Sequence, residues 1–358
     1  MNSRHLIDRF FDSRERGRAQ VLVTVFDTLG STYSKAGSRM LIIEGEGSEG
    51  LISGGCLEGD LAERARRVLA SNQATAVTYD LRDEADELFG LGIGCNGLIR
   101  VLLQPLTRDN NWEPMASIAR VLLGKRVGGL ATVIEPGSSQ LAIGSSIIVD
   151  AEQTASLNTG DALLAELKAG VESSMLAGSA RLAEVSDGSC VLLAPLVPIP
   201  RLLILGAGLD AVPLVNVVAE LGWRVSLADH RPAYLEREGF TRAENRHVVS
   251  PDDLASELPL ADYEAIVVMS HHLQTDREYL RQLADVDAPY LGLLGPPARR
   301  RRLLDELGPT GASLESRLRG PVGIDIGADS AESIALSIAA EMQDVLARAG
   351  ESGFHRKA

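Results

Sequence analysis

The sequence predicts an α/β protein in two parts. A C-terminal Rossmann-like parallel sheet with helices on both faces, residues 198–358, follows an N-terminal mixed α/β domain, residues 1–197, that carries two glycine-rich cysteine turns. Three observations predict this. From Arg201 onward, strand-like apolar runs alternate with helical stretches, the pattern of a parallel sheet with right-handed crossovers. Pro195-Leu196-Val197-Pro198-Ile199-Pro200 fixes φ at three positions in six and restricts each preceding residue, which favours an extended linker. At 358 residues the chain exceeds the span of one compact core.

The N-terminal elements follow in order. Residues 1–18 place apolar and charged residues at helical spacing, with no long apolar core or small-residue cleavage site, so they read as an amphipathic helix and not a signal peptide. Gln20–Phe26 and Arg39–Ile43 read as strands, separated by a turn-rich segment. After Cys56 the period changes to 3.6, with Leu57, Leu61, Ala65 and Val68 on one face, predicting a helix from Cys56 to about Ser71. Ala76–Asp80 and Leu98–Leu103 read as strands on either side of the second cysteine turn. Between 105 and 127 lies a connector with a helix. Strand-like runs at Gly129–Ile134, Leu141–Val149 and Cys190–Leu193, with a short helix at Asp161–Ala169, then read as the completion of the first domain's sheet.

In the C-terminal half, strands are expected at Arg201–Leu205, Arg224–Ala228, His247–Ser250, Ala265–Met269 and Tyr290–Leu294. A last helix is signalled by Asp329 as its cap with Glu332 three residues on, and by an apolar stripe through Ile334, Ile338, Met342 and Val345.

Composition narrows the function. A net charge of −14 argues against nucleic-acid binding, which needs a basic face. The run Arg299–Arg302 reads as the solvated start of a helix, or as a local site for one phosphate. Three cysteines make no disulfide framework, which fits a reducing cytoplasm. No uninterrupted apolar stretch is long enough to span a bilayer.

The chemistry gathers at three places. Cys56 lies in Ser53-Gly54-Gly55-Cys56-Leu57-Glu58-Gly59, and Cys95 in Gly92-Ile93-Gly94-Cys95-Asn96-Gly97. Glycine lets a backbone approach a ligand and adopt positive φ, so a thiol on such a turn is presented to something. At a helix N-terminus, unpaired N–H groups and the dipole favour thiolate over thiol at Cys56. The two cysteines are 39 residues apart and have no histidine nearby in sequence, so structural zinc does not fit. A soft-metal or sulfur ligand, a redox pair, or two structural turns stay open. Cys190 reads as core.

The second place is Gly206-Ala207-Gly208 with Ala211, a strand-to-helix turn of dinucleotide type, with Asp229 at the next strand end where a ribose-binding acid belongs. A phosphate-bearing ligand on the helix N-terminus and a Rossmann-like fold without dinucleotide both fit it. The third is Met269-Ser270-His271-His272, which closes a strand at the sheet's carboxyl end. This makes His271 a ligand-site candidate or a surface histidine, and Asp276 a candidate helix cap.

These motifs together resemble the xanthine dehydrogenase accessory proteins, the XdhC/CoxI family of molybdenum-cofactor maturation and insertion factors. The resemblance covers roughly Val21–Leu103, with Gly30-Ser31-Thr32-Tyr33, Gly37-Ser38-Arg39-Met40 and both cysteine turns. It resumes from Leu202 to Val345, with the Gly206 turn, Ser270-His271, Tyr290–Gly295, Pro321–Gly327 and Glu332–Ala335. Three departures stand out. Asn96 replaces a usual Gly, Leu209 replaces a usual His, and Gly295-Pro296-Pro297 replaces a usual Gly-Ser-Arg. The last leaves Arg299 or Arg300 to supply a phosphate-contacting guanidinium.

The resemblance implies a cytoplasmic chaperone more than a catalyst. It would hold the molybdenum cofactor, as molybdopterin or its dinucleotide form, while a cysteine desulfurase supplies sulfur, and deliver it to a molybdenum hydroxylase of the xanthine dehydrogenase type. On that reading Cys56 and Cys95 ligate the metal, and Gly54, Gly55, Gly94, Gly206, Gly208, Asp229 and His271 bind the cofactor around one cleft. Glu58 orients the Cys56 turn or favours the helix dipole, and Arg39 contacts an anionic ligand or forms a surface ion pair. A homodimer stays open. The alternative is an NAD(P)-dependent oxidoreductase, which uses the Gly206–Asp229 segment and leaves both cysteine turns idle.

Overall fold

The computed structural model describes residues 3–80, 97–138, 141–150 and 161–353, with side chains to 349. The second cysteine turn, with Gly94, Cys95 and Asn96, lies outside the described residues. The chain divides into two compact units, Met1–Pro198 and Ile199–Ala358.

The first unit opens with α1 (Ser3–Glu15), which buries Leu6, Ile7 and Phe10 at helical spacing. β1 (Gln20–Gly30), β2 (Arg39–Ile43) and β3 (Gly47–Glu49) follow, then α2 (Glu58–Ser71), β4 (Thr75–Asp80) and β5 (Gly97–Leu106). The strands form one antiparallel sheet in the order β3-β2-β1-β5-β4. β1 runs four residues past its expected end at Phe26. A bulge between Val25 and Asp27 lets the polar segment keep pairing with β5 as far as Gly30 opposite Gly97. One face of the sheet, through Val21, Val23, Met40 and Val101, packs on Leu61, Ala65 and Val68 of α2.

The middle of the chain does not complete that sheet. After α3 (Met115–Leu123), β6 (Gly128–Glu135), β7 (Ser146–Val149), α4 (Asp161–Ala177), β8 (Arg181–Glu184) and β9 (Cys190–Leu196) make a separate antiparallel sheet, β7-β6-β9-β8. Alternate residues of β9 explain why two sheets are needed. Val191 and Leu193 pack with Leu167 and Val171 of α4, whereas Leu192 and Ala194 pack with Phe26 and Leu102 of the first sheet. The expected linker is partly strand as well: Pro195 sits opposite Gly129 in β9. Its missing N–H is tolerated because β8 pairs no further than Leu193 on that edge.

The second unit is doubly wound. β10 (Arg201–Leu205), α5 (Ala211–Glu220), β11 (Arg224–Asp229), α6 (Pro232–Leu235), β12 (Asn245–Val248), α7 (Leu254–Glu257), β13 (Ala265–Val268), α8 (Leu273–Leu283), β14 (Tyr290–Leu293), α9 (Pro297–Leu307), α10 (Pro309–Leu314), β15 (Leu318–Arg319) and α11 (Ala331–Gly353) follow in turn. Every strand pair is parallel, in the order β12-β11-β10-β13-β14-β15. Leu202 and Ile204 of β10 pack towards α5 and α11, and Leu203 and Leu205 towards α8 and α9, so helices cover both faces as expected.

Three details differ from expectation. The third strand begins at Asn245, because Ser226 pairs there, and a sixth strand, β15, joins through Leu291 opposite Leu318. The last helix is capped by Ser330, whose Oγ accepts the Ser333 N–H at 3.2 Å while Ser333 Oγ accepts the Ser330 N–H at 2.9 Å. Serine replaces both Asp329 and Glu332 in that role. Among the described residues no helix is long and apolar enough to cross a membrane.

Candidate functional site

The first cysteine turn is held by a carboxylate. Gly54 (φ +79°) and Gly55 (φ +111°) take the left-handed backbone that glycine permits. Glu58 Oε1 accepts the N–H groups of Ile52 (3.1 Å) and Ser53 (3.0 Å), and its Oε2 accepts the Ser53 hydroxyl (2.6 Å) and the Leu57 N–H (3.1 Å). Burial pushes the Glu58 carboxyl up, but the hydrogen bonds together outweigh it and hold the group below the ordinary carboxylate range. Of the two roles the sequence left to Glu58, orienting the turn is therefore the one the geometry shows.

Cys56 is a free, half-buried thiol on this turn. The helix begins at Glu58 with Leu57 as its N-cap, not at Cys56. The Leu57 N–H is already taken by Ser53 Oγ at 2.8 Å and by Glu58, because an acid in the first turn competes for the end donors. Tyr33, 62% exposed, lays its ring 3.7 Å from where a Cβ on Gly54 would stand. The Ser34 hydroxyl donates to Leu51 O, tying that segment to the approach of the turn.

Among the described residues Arg39, at the start of β2, forms no surface ion pair, and its Nε and Nη2 are buried without a partner there. Burial alone lowers its pKa to about 10. Cys190 is half-buried in β9 and not fully in the core; desolvation and then the carboxylates of Glu135 and Glu184 push its thiol up. Among the described residues no group of three or more His, Cys, Asp or Glu could hold a metal ion.

The second unit supplies the other predicted residues. Gly206 has φ +121°, and a Cβ there would lie 2.6 Å from Met269 O and 2.7 Å from Ser270 Cα, so the β10 and β13 ends meet backbone to backbone. A Cβ on Gly208 would come 2.4 Å from Asp210 Oδ1. Thus Gly206, read as a ligand contact, is also required by the chain itself, whereas at Gly208 the flexible Asp210 side chain could give way. His271 takes φ +61°, is exposed, and brings Nε2 to 2.7 Å from Asp210 Oδ2 at the start of α5.

Asp229 sits behind the turn, 1% exposed. Its Oδ2 accepts the Ala207 N–H (2.8 Å) and Arg231 Nη2 (2.8 Å), and its Oδ1 accepts the Arg231 N–H and Nε (both 2.9 Å). Burial raises its pKa, and those donors bring it below the ordinary value.

Asp276 is not a helix cap. His272 caps α8 by accepting the Thr275 N–H, while buried Asp276 accepts the Ser270 hydroxyl at 2.5 Å and a two-pronged bond from Arg299 (2.6 and 3.1 Å). Arg300 donates to Glu315 O and Leu318 O. Both arginines offered as phosphate contacts thus hold the unit together.

Sequence reasoning missed Arg231, Tyr234 and Arg237. Their spacing of three, from the N-cap of α6 to two residues past its end and directly after the strand-end acid, was the available signal. It also missed a cavity of about 570 Å³ near the end of β14, lined by Leu294, Pro296, Val322, Ile324, Asp325 and Ile334 among others.

Known proteins resemble the chain over nearly its whole length. Residues 13–80 match the XdhC and CoxI family, and residues 202–342 match the XdhC Rossmann domain. A Bacillus subtilis (strain 168) protein, named as a probable xanthine dehydrogenase subunit, is 31% identical over 344 residues, 95% of this chain and 96% of that protein. The Escherichia coli (strain K12) protein named "Molybdenum cofactor insertion chaperone PaoD" is 23% identical over 92% of this chain and 84% of its own length. A crystal structure from Bacillus halodurans, described as a xanthine dehydrogenase, superposes with a TM-score of 0.77 at 30% identity, covering 96% of both chains.

Proposed function

The chain belongs to the XdhC and CoxI family, and from that premise we propose that it is a cytoplasmic maturation factor for the molybdenum cofactor. It binds the cofactor, protects it while a cysteine desulfurase supplies sulfur, and hands it to a molybdenum hydroxylase of the xanthine dehydrogenase type. The observation that carries this reading is the chain-long similarity to relatives named for xanthine dehydrogenase and for cofactor insertion.

The residues supply a physical basis. A molybdenum centre accepts thiolate, and the Ser53–Glu58 clamp fixes the backbone that presents the Cys56 thiol. Cys95 is the second thiol of the proposed set, with Gly54, Gly55 and Gly94 giving the cofactor room. Arg39 holds two buried guanidinium nitrogens, unpartnered among the described residues, that an anionic cargo would satisfy. Gly206, Gly208 and His271 meet the cargo's phosphate end, and Asp229 positions the turn that receives it.

The test is cofactor binding. Wild-type protein, prepared without oxygen, should retain molybdenum and pterin and restore activity to hydroxylase lacking cofactor. Cys56→Ala and Cys95→Ala should each lower retention about tenfold or more. Tight dinucleotide binding with turnover of a small alcohol or acid, and no retained pterin, would replace this reading with the oxidoreductase one.

A further inference from the structure

We propose that Arg231 and Arg237 form a phosphomonoester site beside the Gly206–Gly208 turn, so that the Rossmann half selects a ligand carrying a terminal phosphate over one offering a free hydroxyl there. This rests on the reading that the C-terminal unit holds the phosphate end of the cargo.

The first ground is the committed state of Asp229. In a dinucleotide fold the acid at this strand end accepts from a ribose diol. Here both of its oxygens are taken by four donors, three of them from Arg231, and the carboxylate is 1% exposed. A diol would have to displace Arg231 or the Ala207 N–H from a buried anion, leaving one of them unpaired. The fold therefore presents guanidinium, not carboxylate, at the place where a hydroxyl-selective site presents its acid.

The second ground is how the guanidiniums are fixed. The Arg231 and Arg237 carbons lie 3.7 and 3.9 Å from the centroid of the Tyr234 ring. Two guanidiniums cannot share one face at those distances, so they sandwich the ring. Each is also tied to Ala207: Arg237 donates Nη1 to Ala207 O at 2.9 Å, and Arg231 binds the carboxylate that accepts the Ala207 N–H. Neither cation waves in solvent; both are held at the flank of the turn whose helix favours anions.

The third ground is unspent donor capacity and charge. A guanidinium has five N–H groups. Arg237 uses one, and among the described residues its Nε and Nη2 have no partner; Arg231 keeps Nη1. Arg231 is paired with Asp229, while Arg237 has no ion pair among the described residues, so the two guanidiniums together carry an excess of positive charge. A dianionic monoester satisfies this excess with directional bonds. A hydroxyl satisfies none of the charge.

Two ligand sources share this chemistry: a phosphate on the ribose of a nucleotide, and the phosphate ending the side chain of a pterin. Titration calorimetry on the full chain separates them with two probe pairs, adenosine 2′,5′-bisphosphate against 5′-AMP, and molybdopterin against the same preparation after phosphatase. At least one phosphorylated probe should bind about tenfold tighter than its partner. Arg237→Met, which keeps the chain over the ring but not the charge, should bring that ratio near one without lowering the melting temperature by more than a few degrees. The pair that discriminates assigns the source.

The proposal fails if neither pair discriminates, or if the ratio survives both Arg237→Met and Arg231→Met. Failure of the maturation reading looks different: the nucleotide pair discriminates while wild-type protein retains no molybdenum cofactor.

Discussion

Glu58 grips Ser53 twice, accepting its backbone N–H at 3.0 Å and its hydroxyl at 2.6 Å, and so closes the loop on which Cys56 sits. The thiol's position depends on a side chain two residues away. Glu58→Gln keeps the shape but supplies only one acceptor oxygen. It should cost about 1–3 kcal/mol by thermal or denaturant unfolding and weaken cofactor retention, while Glu63→Gln on the exposed face of α2 should do neither.

The acid response of that turn has a defined sign. Glu58 in the folded protein lies below its ordinary value of 4.5. Its contribution is therefore present above pH 4.5 and is lost as pH falls through the folded pKa. Unfolding free energy measured from pH 6 down to about pH 3 should fall less steeply in Glu58→Gln than in wild type. Equal slopes would mean the carboxylate is not gripped as described.

Arg39 runs the other way. Burial lowers its pKa from 12.5 to about 10, so the charge is a cost of folding at neutral pH, relieved as pH rises through 10. Arg39→Met should raise stability in the ligand-free protein by about 1–2 kcal/mol and lower affinity for the anionic cargo. A loss of stability on this substitution would show that the guanidinium has an acceptor in solution.

Gly206→Ala and Gly59→Ala should separate. At Gly206 the Cβ meets Met269 O at 2.6 Å and the backbone is at φ +121°, so the β10–β13 contact must open, at about 3 kcal/mol or more. At Gly59, in the first turn of α2, an added Cβ meets nothing and helix propensity improves, giving a gain of up to about 1 kcal/mol. Melting temperatures of the two variants test both signs.

Arg299→Ala should destabilise the second unit by about 3–4 kcal/mol, because it leaves the buried Asp276 carboxylate with only Ser270 as donor. A phosphate-contact role would instead lower ligand affinity with the melting temperature unchanged.

The elements legible in the sequence were those whose own period declares them. Alternating strand and helix from Arg201 announced the doubly wound sheet, and the stripe at Leu61, Ala65 and Val68 announced α2. The separate sheet of β6–β9 was not legible. Val191–Ala194 is apolar at every position, and such a run says that both faces are covered without saying by what. Polar Asp27 and Thr28 resemble a turn, yet a strand bulge carries them on to pair with β5.

By itself the sequence determined which residue types stand at which turns: a thiol among glycines, a glycine turn after a strand, an acid at the next strand end. Composition and local φ preference act over a few residues, so they are written in a few residues. Only tertiary structure decided what those groups are engaged in. Asp229 is taken up by Ala207 and Arg231, Asp276 by Arg299, and the Leu57 N–H beside Cys56 by Ser53 and Glu58. Hydrogen-bonding capacity is finite, and folding sets which donors reach each buried carboxylate first.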